Sequence, residues 1–337
     1  MSDPVRVAVV GAGSMGADHV RRLHQRINGA TVSAVVEPDR DRAASVAAMA
    51  PGAAVYSRVQ EALDAGVADA VLVATPGQHH AAVLLPALDA GLAILCEKPL
   101  TQDSASSWQI LEREQRLDRP HIQVGFLRRF DAEYQQLRAI VATGELGDLL
   151  MIHAAHRNPA APHWYTQDRL INDSVVHEFD VLPWVADSPI GTVEVRHGRA
   201  NRDSPRGMRE PILVLFQLAS GVLVDVEMNV TAGFGYQVTT EAVFQAGVVR
   251  IGGPRGAQVW NGGHARVPVH QDYITRFRDA YDAQVQCWID GVHQGRLVSG
   301  PSAWDGYRVA LACEAGLAAM DGSPGMVQAA PRPAFYR

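Results

Sequence analysis

An acid–histidine–acid pattern in the middle of the chain combines residue types that can bind a hydroxyl group and move its proton. Residues 173–180 read Asp-Ser-Val-Val-His-Glu-Phe-Asp. If the segment is helical, Asp173, His177 and Asp180 lie on one face, because residues three and four apart are neighbours on a helix. Four apolar residues repeat at helical spacing and predict a buried opposite face: Val176, Phe179, Leu182 and Val185. Alone, the pattern is weak evidence, since a surface helix with a few polar residues has the same spacing.

A second candidate is Lys98, within the tripeptide Glu97-Lys98-Pro99. Most lysines are solvated surface charges, but this one directly follows the apolar run 93–96, which predicts a buried strand. Ligands of parallel α/β sheets bind beyond the carboxyl ends of the strands. We therefore expect Lys98 to bring a cation to the mouth of a cleft, with Pro99 restricting the backbone beside it.

These side chains need a fold that positions them, and a glycine-rich turn near the amino terminus predicts one. Gly11-Ala12-Gly13-Ser14-Met15-Gly16 follows the apolar run 5–10 and precedes a helical pattern. In such turns the first glycine allows the tight bend, the second lets the backbone approach a pyrophosphate, and the third lets the helix pack closely. The phosphates meet unpaired N–H groups at the helix amino end. The predicted dinucleotide site comprises Gly11, Gly13, Ser14, Met15 and Gly16.

Glu37 predicts which dinucleotide binds. It ends the second predicted strand, 21 residues beyond Gly16, where an acidic residue accepts hydrogen bonds from the adenosine ribose. Its charge would repel a 2′-phosphate, so the sequence favours NAD over NADP. Arg40 and Arg42 follow closely and leave use of NADP open. A glycine turn without a ligand is the alternative, and the strand–turn–helix context argues against it.

Apolar runs alternate with helical patterns through the first 126 residues. This alternation predicts an α/β fold, with an NAD-binding Rossmann domain over residues 1–125 built on a doubly wound parallel sheet of six strands. Thr75, Pro76 and His79 follow the fourth of these strands. We expect them to face the cofactor together with Glu97 and Lys98, because all five residues lie at carboxyl ends of strands.

Residues 126–337 follow a different design. Helices are predicted at 131–142, 273–289 and 304–320, and strands at 149–155, 192–200, 212–218, 222–230, 237–245 and 248–251. Short glycine or polar turns separate the strands, which predicts mostly antiparallel pairing in an open sheet. We expect an α+β substrate-binding and oligomerisation domain, whose free sheet face pairs subunits into a dimer or homotetramer. The Pro- and Gly-rich tail, 322–337, is expected to lie on the surface.

The composition bounds the class of protein. Of the 337 residues, 47% are hydrophobic and 20% are charged, with a formal net charge of −6 and no Lys/Arg-rich run. This balance indicates a soluble globular protein and argues against nucleic acid or an anionic membrane as a partner. A secretory signal and a long apolar span are both absent from the sequence. Its three scattered cysteines form no C-x-x-C pair, so we expect a cytoplasmic protein without a thiolate metal site.

These motifs together resemble the glucose–fructose oxidoreductase/inositol dehydrogenase (Gfo/Idh/MocA) family over nearly the whole chain. The resemblance rests on the glycine turn, Glu97-Lys98-Pro99, the D-x-x-x-H pattern, Gly125-Phe126-Leu127-Arg128-Arg129-Phe130-Asp131, His156-Arg157-Asn158 and Phe234-Gly235-Tyr236. It implies NAD-dependent oxidation of a secondary alcohol of a cyclic polyol, with myo-inositol as the first expectation. The catalytic set that it implies is Lys98, Asp173 and His177. The substrate contacts that it implies are Arg128, His156, Asp180 and Tyr236.

Oxidation of a secondary alcohol needs a base for the hydroxyl proton while the carbon-bound hydrogen leaves as a hydride. We expect His177 to be that base, since an imidazole titrates near neutral pH. Lys98 would hold the same oxygen and stabilise the developing alkoxide. Asp173 would hydrogen-bond the substrate and help to balance the charges of the lysine and the histidine.

Three alternatives stay open. The first is a sister enzyme for scyllo-inositol, a hexose or an anhydrosugar, because Leu127 stands where the inositol enzymes usually have methionine and the loop at 75–79 also differs. The second is a non-catalytic dinucleotide-binding regulator, against which the intact catalytic set argues. The third is a metal-dependent enzyme, with His153, His156 and His163 as the only candidate ligands. No second carboxylate or cysteine accompanies these histidines, so we expect no metal.

Overall fold

The computed structural model describes residues 3–254 and 256–336, and the chain divides into two compact units. The first comprises Met1–Leu127, Tyr281–Ala310 and Ala330–Arg337, and the second comprises Arg128–Ala280 and Leu311–Ala329. The sequence-based division instead assigned all of 126–337 to the second domain. The two divisions differ because three apolar residues from late in the chain, Val285, Trp288 and Ile289, are buried in the hydrophobic core of the first unit.

The first unit contains a parallel sheet with helices between its strands. In chain order its elements are β1 Val5–Val10, α1 Ser14–Gln25, β2 Ala30–Val36, α2 Arg40–Ala47, β3 Ala54–Tyr56, α3 Val59–Asp64, β4 Ala70–Val73, α4 His80–Asp89, β5 Ala93–Cys96, α5 Ser104–Glu114 and β6 Ile122–Val124. The spatial order is β3-β2-β1-β4-β5-β6, with every pair parallel. The predicted doubly wound sheet of six strands is confirmed. Its strand order reverses between β1 and β4, where sheets of this kind bind their ligands.

Burial explains why the strand predictions in this unit succeeded. Strands β4 and β5 are buried at every position, as expected where helices cover both faces of a parallel sheet. Helix α2 was not predicted. Its hydrophobic pattern is weak, and its start is set by the Asp39 side chain, which accepts a hydrogen bond from the Arg42 backbone N–H.

The second unit is built on a seven-stranded sheet of spatial order β12-β11-β7-β10-β9-β8-β15. From residue 132 onward the elements are α6 Ala132–Thr143, β7 Leu149–Arg157, α7 Val176–Val185, β8 Ile190–His197, β9 Ile212–Leu218, β10 Leu223–Asn229, β11 Gln237–Phe244, β12 Gly247–Ile251, β13 Val259–Asn261, β14 His264–Arg266, α8 Tyr273–His293, α9 Ala303–Ala319 and β15 Gly325–Met326. The prediction of a mostly antiparallel sheet is confirmed. Strands β7 and β10 pair in parallel, which is possible because α7, β8 and β9 separate them along the chain.

Helix α6, Ala132–Thr143, begins and ends one residue later than the predicted range of 131–142. The Asp131 carboxylate accepts hydrogen bonds from the backbone N–H groups of Glu133 and Tyr134 at 3.1 and 3.4 Å, which caps the amino end. At the other end Gly144 adopts a left-handed conformation with φ 65°, which is a common helix stop. These caps fix the segment that follows Arg128 and Arg129.

The segment of residues 173–180 is not one continuous α-helix. Leu170–Val175 form a π-helical segment, and α7 begins only at Val176. The four apolar residues predicted to be buried in this region are all buried. Asp173, however, lies in the π-helical segment, where i→i+5 hydrogen bonds change the angular spacing of side chains. The single α-helical face predicted for Asp173, His177 and Asp180 is therefore wrong in its geometry.

The carboxyl-terminal tail is more firmly attached than its composition predicts. Strand β15 pairs with β8 in the second unit. In the first unit, Tyr336 is 5% exposed, and its hydroxyl donates a hydrogen bond to the buried Glu114 carboxylate at 2.5 Å. Burial raises the pKa of Glu114. The expectation of a surface tail is therefore wrong for these residues.

Among the helices of residues 3–254 and 256–336, none has the length and apolar character needed to cross a membrane.

Candidate active site

The glycine turn of the first unit leaves no room for larger residues at two of its positions. Gly11 has φ +98°, and an added Cβ there would lie 2.8 Å from the backbone of Ala74. At Gly16 an added Cβ would lie 1.8 Å from the Gly11 carbonyl oxygen, so only glycine lets α1 pack on the turn. At Gly13 an added Cβ would meet no heavy atom within 4 Å. The side of the turn next to Gly13 is thus open, as the approach of a pyrophosphate requires.

The amino end of α1 completes this cradle. Gly13 is the N-cap residue of the helix that begins with Ser14 and Met15, and as a glycine it has no side chain to cap that helix. The amino end of a helix carries partial positive charge and favours anions. The residues present therefore fit the diphosphate of NAD, with Gly11, Gly13, Ser14, Met15 and Gly16 around it.

Glu37 is held against the same turn at the end of β2. Its carboxylate accepts hydrogen bonds from the Ala12 backbone N–H at 3.0 Å and from the Asp39 backbone N–H at 3.2 Å. The Arg42 guanidinium also donates to it, at 3.2 Å. Glu37 is only 9% exposed, so its charge is fixed in place. Arg42, one of the two arginines that left NADP open in the sequence, is thus paired with the carboxylate that disfavours a 2′-phosphate.

Thr75, Pro76 and His79 lie between β4 and α4, in a loop held by a buried histidine. The His80 ring is fully buried, and its two nitrogens lie 2.8 Å from the carbonyl oxygens of Thr75 and Pro99. His80 thereby connects the loop after β4 to the loop after β5. This histidine was not among the predicted site residues, and it fixes the backbone of both loops that were predicted to face the cofactor.

Glu97 and Lys98 follow β5, and a second buried histidine holds the glutamate. The His19 Nε2 lies 2.7 Å from one Glu97 carboxylate oxygen, and the Lys98 backbone N–H donates to the other at 3.3 Å. His19 is fully buried on α1. The peptide between Lys98 and Pro99 is cis. The catalytic candidate Lys98 is thus anchored through its main chain to a buried Glu97–His19 pair.

In the second unit, Asp173 and His177 are both partly exposed. The Asp173 carboxylate accepts a hydrogen bond from the Arg169 guanidinium at 2.6 Å. The ring centre of His177 lies 6.3 Å from that of His156. The two predicted catalytic residues of this unit therefore stand on the π-helical segment and on the first turn of α7, next to a histidine from β7.

Behind His177 lies a buried cluster of four side chains: Arg128, His156, Glu178 and Tyr236. Arg128 forms an ion pair with Glu178, and their side chains are only 2% and 1% exposed. Burial alone would raise the pKa of Glu178, but the charge of Arg128 and the hydrogen bonds with Arg128 and His156 lower it from 4.5 to about 2. Burial raises the pKa of the Tyr236 hydroxyl to about 12, so this phenol stays protonated and can donate a hydrogen bond.

Asp180 is held in a separate ion pair. Its carboxylate is 1% exposed and accepts hydrogen bonds from Arg129, with Nε at 3.0 Å from both oxygens and Nη2 at 2.5 Å from one. The sequence analysis predicted Asp180 as a substrate contact but did not predict its ion pair with Arg129. The Arg129 guanidinium also lies over the indole ring of Trp184, with its central carbon 5.8 Å from the ring centre. This contact further restricts the position of the ion pair.

Four residues of these networks were missed from the sequence: His19, His80, Arg129 and Glu178. Three of them are polar residues whose partners lie about 50 or more positions away, as with His19 and Glu97, which are 78 positions apart. His80 contacts main-chain oxygens 5 and 19 positions away. The one local signal was His19, three residues after Gly16 and on the inner face of a predicted helix.

As for the metal alternative, residues 3–254 and 256–336 hold no group of three or more His, Cys, Asp or Glu side chains that could bind a metal ion.

Comparisons with known proteins place this geometry in a family. Residues 5–126 match the profile of an oxidoreductase family with an NAD-binding Rossmann fold, and residues 134–250 match the GFO/IDH/MocA C-terminal domain. An inositol 2-dehydrogenase of Corynebacterium glutamicum strain ATCC 13032 is 58% identical and aligns over 100% of both chains. One from Leifsonia xyli subsp. xyli is 59% identical over 98% of each chain.

A solved structure also matches this chain over nearly its whole length. The myo-inositol dehydrogenase of Lactobacillus casei, in complex with NAD(H) and myo-inositol, is 31% identical and superposes with a TM-score of 0.96. The match covers 99% of this chain and 100% of that one. The chain therefore belongs to the Gfo/Idh/MocA family of oxidoreductases, with an NAD-binding Rossmann domain at its amino end.

Proposed function

We propose that the protein is an NAD-dependent inositol 2-dehydrogenase, which oxidises the hydroxyl group at position 2 of myo-inositol. The observation that carries this proposal is the 58% identity with an inositol 2-dehydrogenase over the whole of both chains. The chain also has Lys98, Asp173 and His177, which provide a cation, a carboxylate and an imidazole for alcohol oxidation.

NAD, when bound, accepts the hydride that leaves the carbon atom. His177 takes the hydroxyl proton as general base, because its imidazole is partly exposed and can hold a proton near neutral pH. Lys98 stabilises the alkoxide charge as the proton leaves. Asp173 accepts a hydrogen bond from the substrate, and its ion pair with Arg169 keeps the carboxylate oriented.

The remaining hydroxyl groups of the polyol need donors and acceptors of fixed orientation. We assign these contacts to Arg128, His156, Asp180 and Tyr236. Tyr236 serves as a donor, since its pKa of about 12 keeps the phenol protonated. The ion pairs of Arg128 and Asp180 hold both groups still, so a polyol meets a site that is already ordered.

Glu37 makes NAD the working cofactor. A 2′-phosphate would bring negative charge to a carboxylate that is held rigidly by the glycine turn. Arg42 offsets part of that repulsion, but its guanidinium is already bonded to the same carboxylate. We therefore propose that NADP is used poorly.

The protein is also proposed to be cytoplasmic and to form a dimer or homotetramer through the open face of the second sheet. Apolar side chains on three strands of that sheet are exposed, namely Leu213 at 37%, Leu223 at 38% and Val248 at 52%. Apolar side chains on one face can be covered by a second copy of the chain. Light scattering on the purified protein measures the assembly, and a monomer at all concentrations would contradict this part of the proposal.

The activity test is a matrix of cofactors and substrates with the purified protein. NAD and NADP are each combined with myo-inositol, scyllo-inositol, glucose and an anhydrosugar, and reduced cofactor is followed by its absorbance. We expect the highest kcat/KM with NAD and myo-inositol. A higher value with another polyol would replace the substrate, and a higher value with NADP would overturn the role of Glu37. NAD binding without turnover of any polyol would identify a regulator.

A further inference from the structure

One buried carboxylate has no part in the reaction as proposed above. Glu178 follows His177 directly in the chain, yet its side chain is 1% exposed and lies in the interior of the second unit. It is ionised, because its pKa is lowered to about 2 despite burial. A buried charge of this kind is retained only where it is paired, and its removal leaves the partner charge unpaired.

The partners of Glu178 are two predicted substrate contacts. Arg128 donates to one carboxylate oxygen, and Nδ1 of His156 lies 3.2 Å from that oxygen and 3.3 Å from the other. Nη2 of Arg128 also lies 3.2 Å from this same Nδ1. A ring nitrogen of neutral histidine either donates or accepts, so Nδ1 cannot bond to both groups at once. The choice between them decides which nitrogen of His156 carries the hydrogen.

The ionised carboxylate is the stronger partner for Nδ1. Arg128 is ionised as well, so charge strengthens both candidate bonds, but Arg128 already donates to Glu178 through Nη1. An Nδ1 without hydrogen would turn its lone pair towards the two carboxylate oxygens, which lie 3.2 and 3.3 Å away. With the hydrogen on Nδ1, the other ring nitrogen, Nε2, is an acceptor. Nε2 lies 3.5 Å from the Tyr236 hydroxyl, at the edge of hydrogen-bond distance, where a hydroxyl group of a ligand can compete.

We propose that Glu178 is a positioning residue for the polyol. It holds His156 with the hydrogen on Nδ1, so that Nε2 of His156 accepts a substrate hydroxyl. It also balances the positive charge of Arg128. This inference rests on the proposed function for its substrate, while the state of His156 is independent of it. Glu178 touches no reacting atom, so its effect is on binding of the polyol more than on hydride transfer.

The state of the imidazole is measured on the wild-type protein, which avoids any question of folding. Two-dimensional ¹⁵N–¹H spectra of histidine rings distinguish the two tautomers, and the His156→Gln variant identifies the His156 signals. We expect the hydrogen of His156 on Nδ1. A hydrogen on Nε2 would overturn the proposal, whether or not the protein turns over myo-inositol.

The kinetic test uses Glu178→Gln, with Asp225→Asn as a matched control. Asp225 also pairs with a histidine of the same sheet, His153, but that pair is solvent-accessible. For Glu178→Gln we expect KM for myo-inositol to rise about tenfold or more, while kcat changes less than about threefold and the dissociation constant of NAD stays the same. Asp225→Asn should change none of these values.

The pH profile distinguishes positioning from a merely structural role. Among the residues that the structure describes, the charged or titratable groups against His156 include Arg128, Glu178, His177 and Tyr236. Removal of the negative charge of Glu178 makes His156 harder to protonate. The acidic limb of kcat/KM should therefore move to lower pH in Glu178→Gln. An unchanged limb, or an equal loss of kcat, NAD affinity and melting temperature, would overturn the proposal. A wild-type protein inactive on myo-inositol would refute the proposed function instead.

Discussion

Two glycines of the same turn are expected to respond to alanine in opposite ways. At Gly16 the added Cβ would lie 1.8 Å from the Gly11 carbonyl oxygen and 2.8 Å from its carbon. Non-bonded heavy atoms are ordinarily about 3.5 Å apart, so the turn or α1 has to move by more than about 1 Å. At Gly13 the Cβ would meet no atom of the protein within 4 Å, and the backbone is already extended with φ −70°.

The magnitudes follow from these distances. Overpacking against a rigid backbone costs about 3 kcal/mol, so Gly16→Ala should lower the free energy of unfolding by about that amount and also weaken NAD binding. Gly13→Ala should leave the free energy of unfolding within about 0.5 kcal/mol of wild type. Its methyl group instead enters the space required by the pyrophosphate. We expect its dissociation constant for NAD to rise about tenfold or more, equivalent to about 1.4 kcal/mol.

Urea unfolding and calorimetric titration with NAD measure the two quantities separately. Gly253→Ala serves as the control, because its Cβ would also meet no heavy atom within 4 Å but it lies in the second unit. The control should match wild type in both measurements. Wild-type stability and NAD affinity in Gly16→Ala would refute the packing argument. Unchanged NAD affinity in Gly13→Ala would refute the location of the pyrophosphate.

The other predictions concern the cofactor, the base and the buried ion pair. Glu37→Ser removes the carboxylate that Arg42 contacts, so the preference for NAD over NADP in kcat/KM should fall about 100-fold; an unchanged ratio in initial rates would contradict this. His177→Ala should lower kcat by about 10²–10⁴-fold with the NAD dissociation constant unchanged, and near wild-type turnover would exclude His177 as the base. Burial alone would raise the pKa of Glu178, but Arg128 in particular lowers it from 4.5 to about 2. Because the folded-state pKa is depressed, the stability due to this pair is present above pH 4.5 and is lost as the pH falls towards 2; denaturant unfolding across that range should show a smaller loss in Glu178→Gln, and equal losses would contradict the pairing.

The elements predicted best from the sequence are those whose signals are local. The strand, glycine turn and helix of residues 5–25 follow one another directly, and Gly11 and Gly16 are sterically required at the spacing that the sequence shows. Helix α6 likewise has both caps within its own sequence, at Asp131 and Gly144. Such signals depend on neighbours in the chain, so periodicity and residue type are sufficient to find them.

The partners of buried charges were not predictable in this way. Arg128 and Glu178 are 50 positions apart, and Arg129 and Asp180 are 51 apart. The local pattern of residues 173–180 does not predict that Glu178 is buried while the adjacent His177 is partly exposed. The π-helical segment before α7 was not predicted either; four of its six residues are buried, namely Leu170, Ile171, Ser174 and Val175.

Long-range pairing also decided the boundaries of the two units. The apolar residues of α8 are periodic, which predicts a helix but not the core that it covers. Val285, Trp288 and Ile289 join the core of the first unit, although they follow the second sheet in the chain. A boundary drawn at one point of the sequence could not represent a unit made of three separate stretches.

The central claim is that a hydride passes directly from a carbon of the cyclic polyol to NAD. Myo-inositol with deuterium on the carbon at position 2 tests it most directly, with wild-type protein, NAD and mass spectrometry of the reduced cofactor. We predict that the deuterium is found in the reduced NAD and that the oxidised polyol has lost it. Deuterium released into water, or reduced NAD that carries none, would contradict the account.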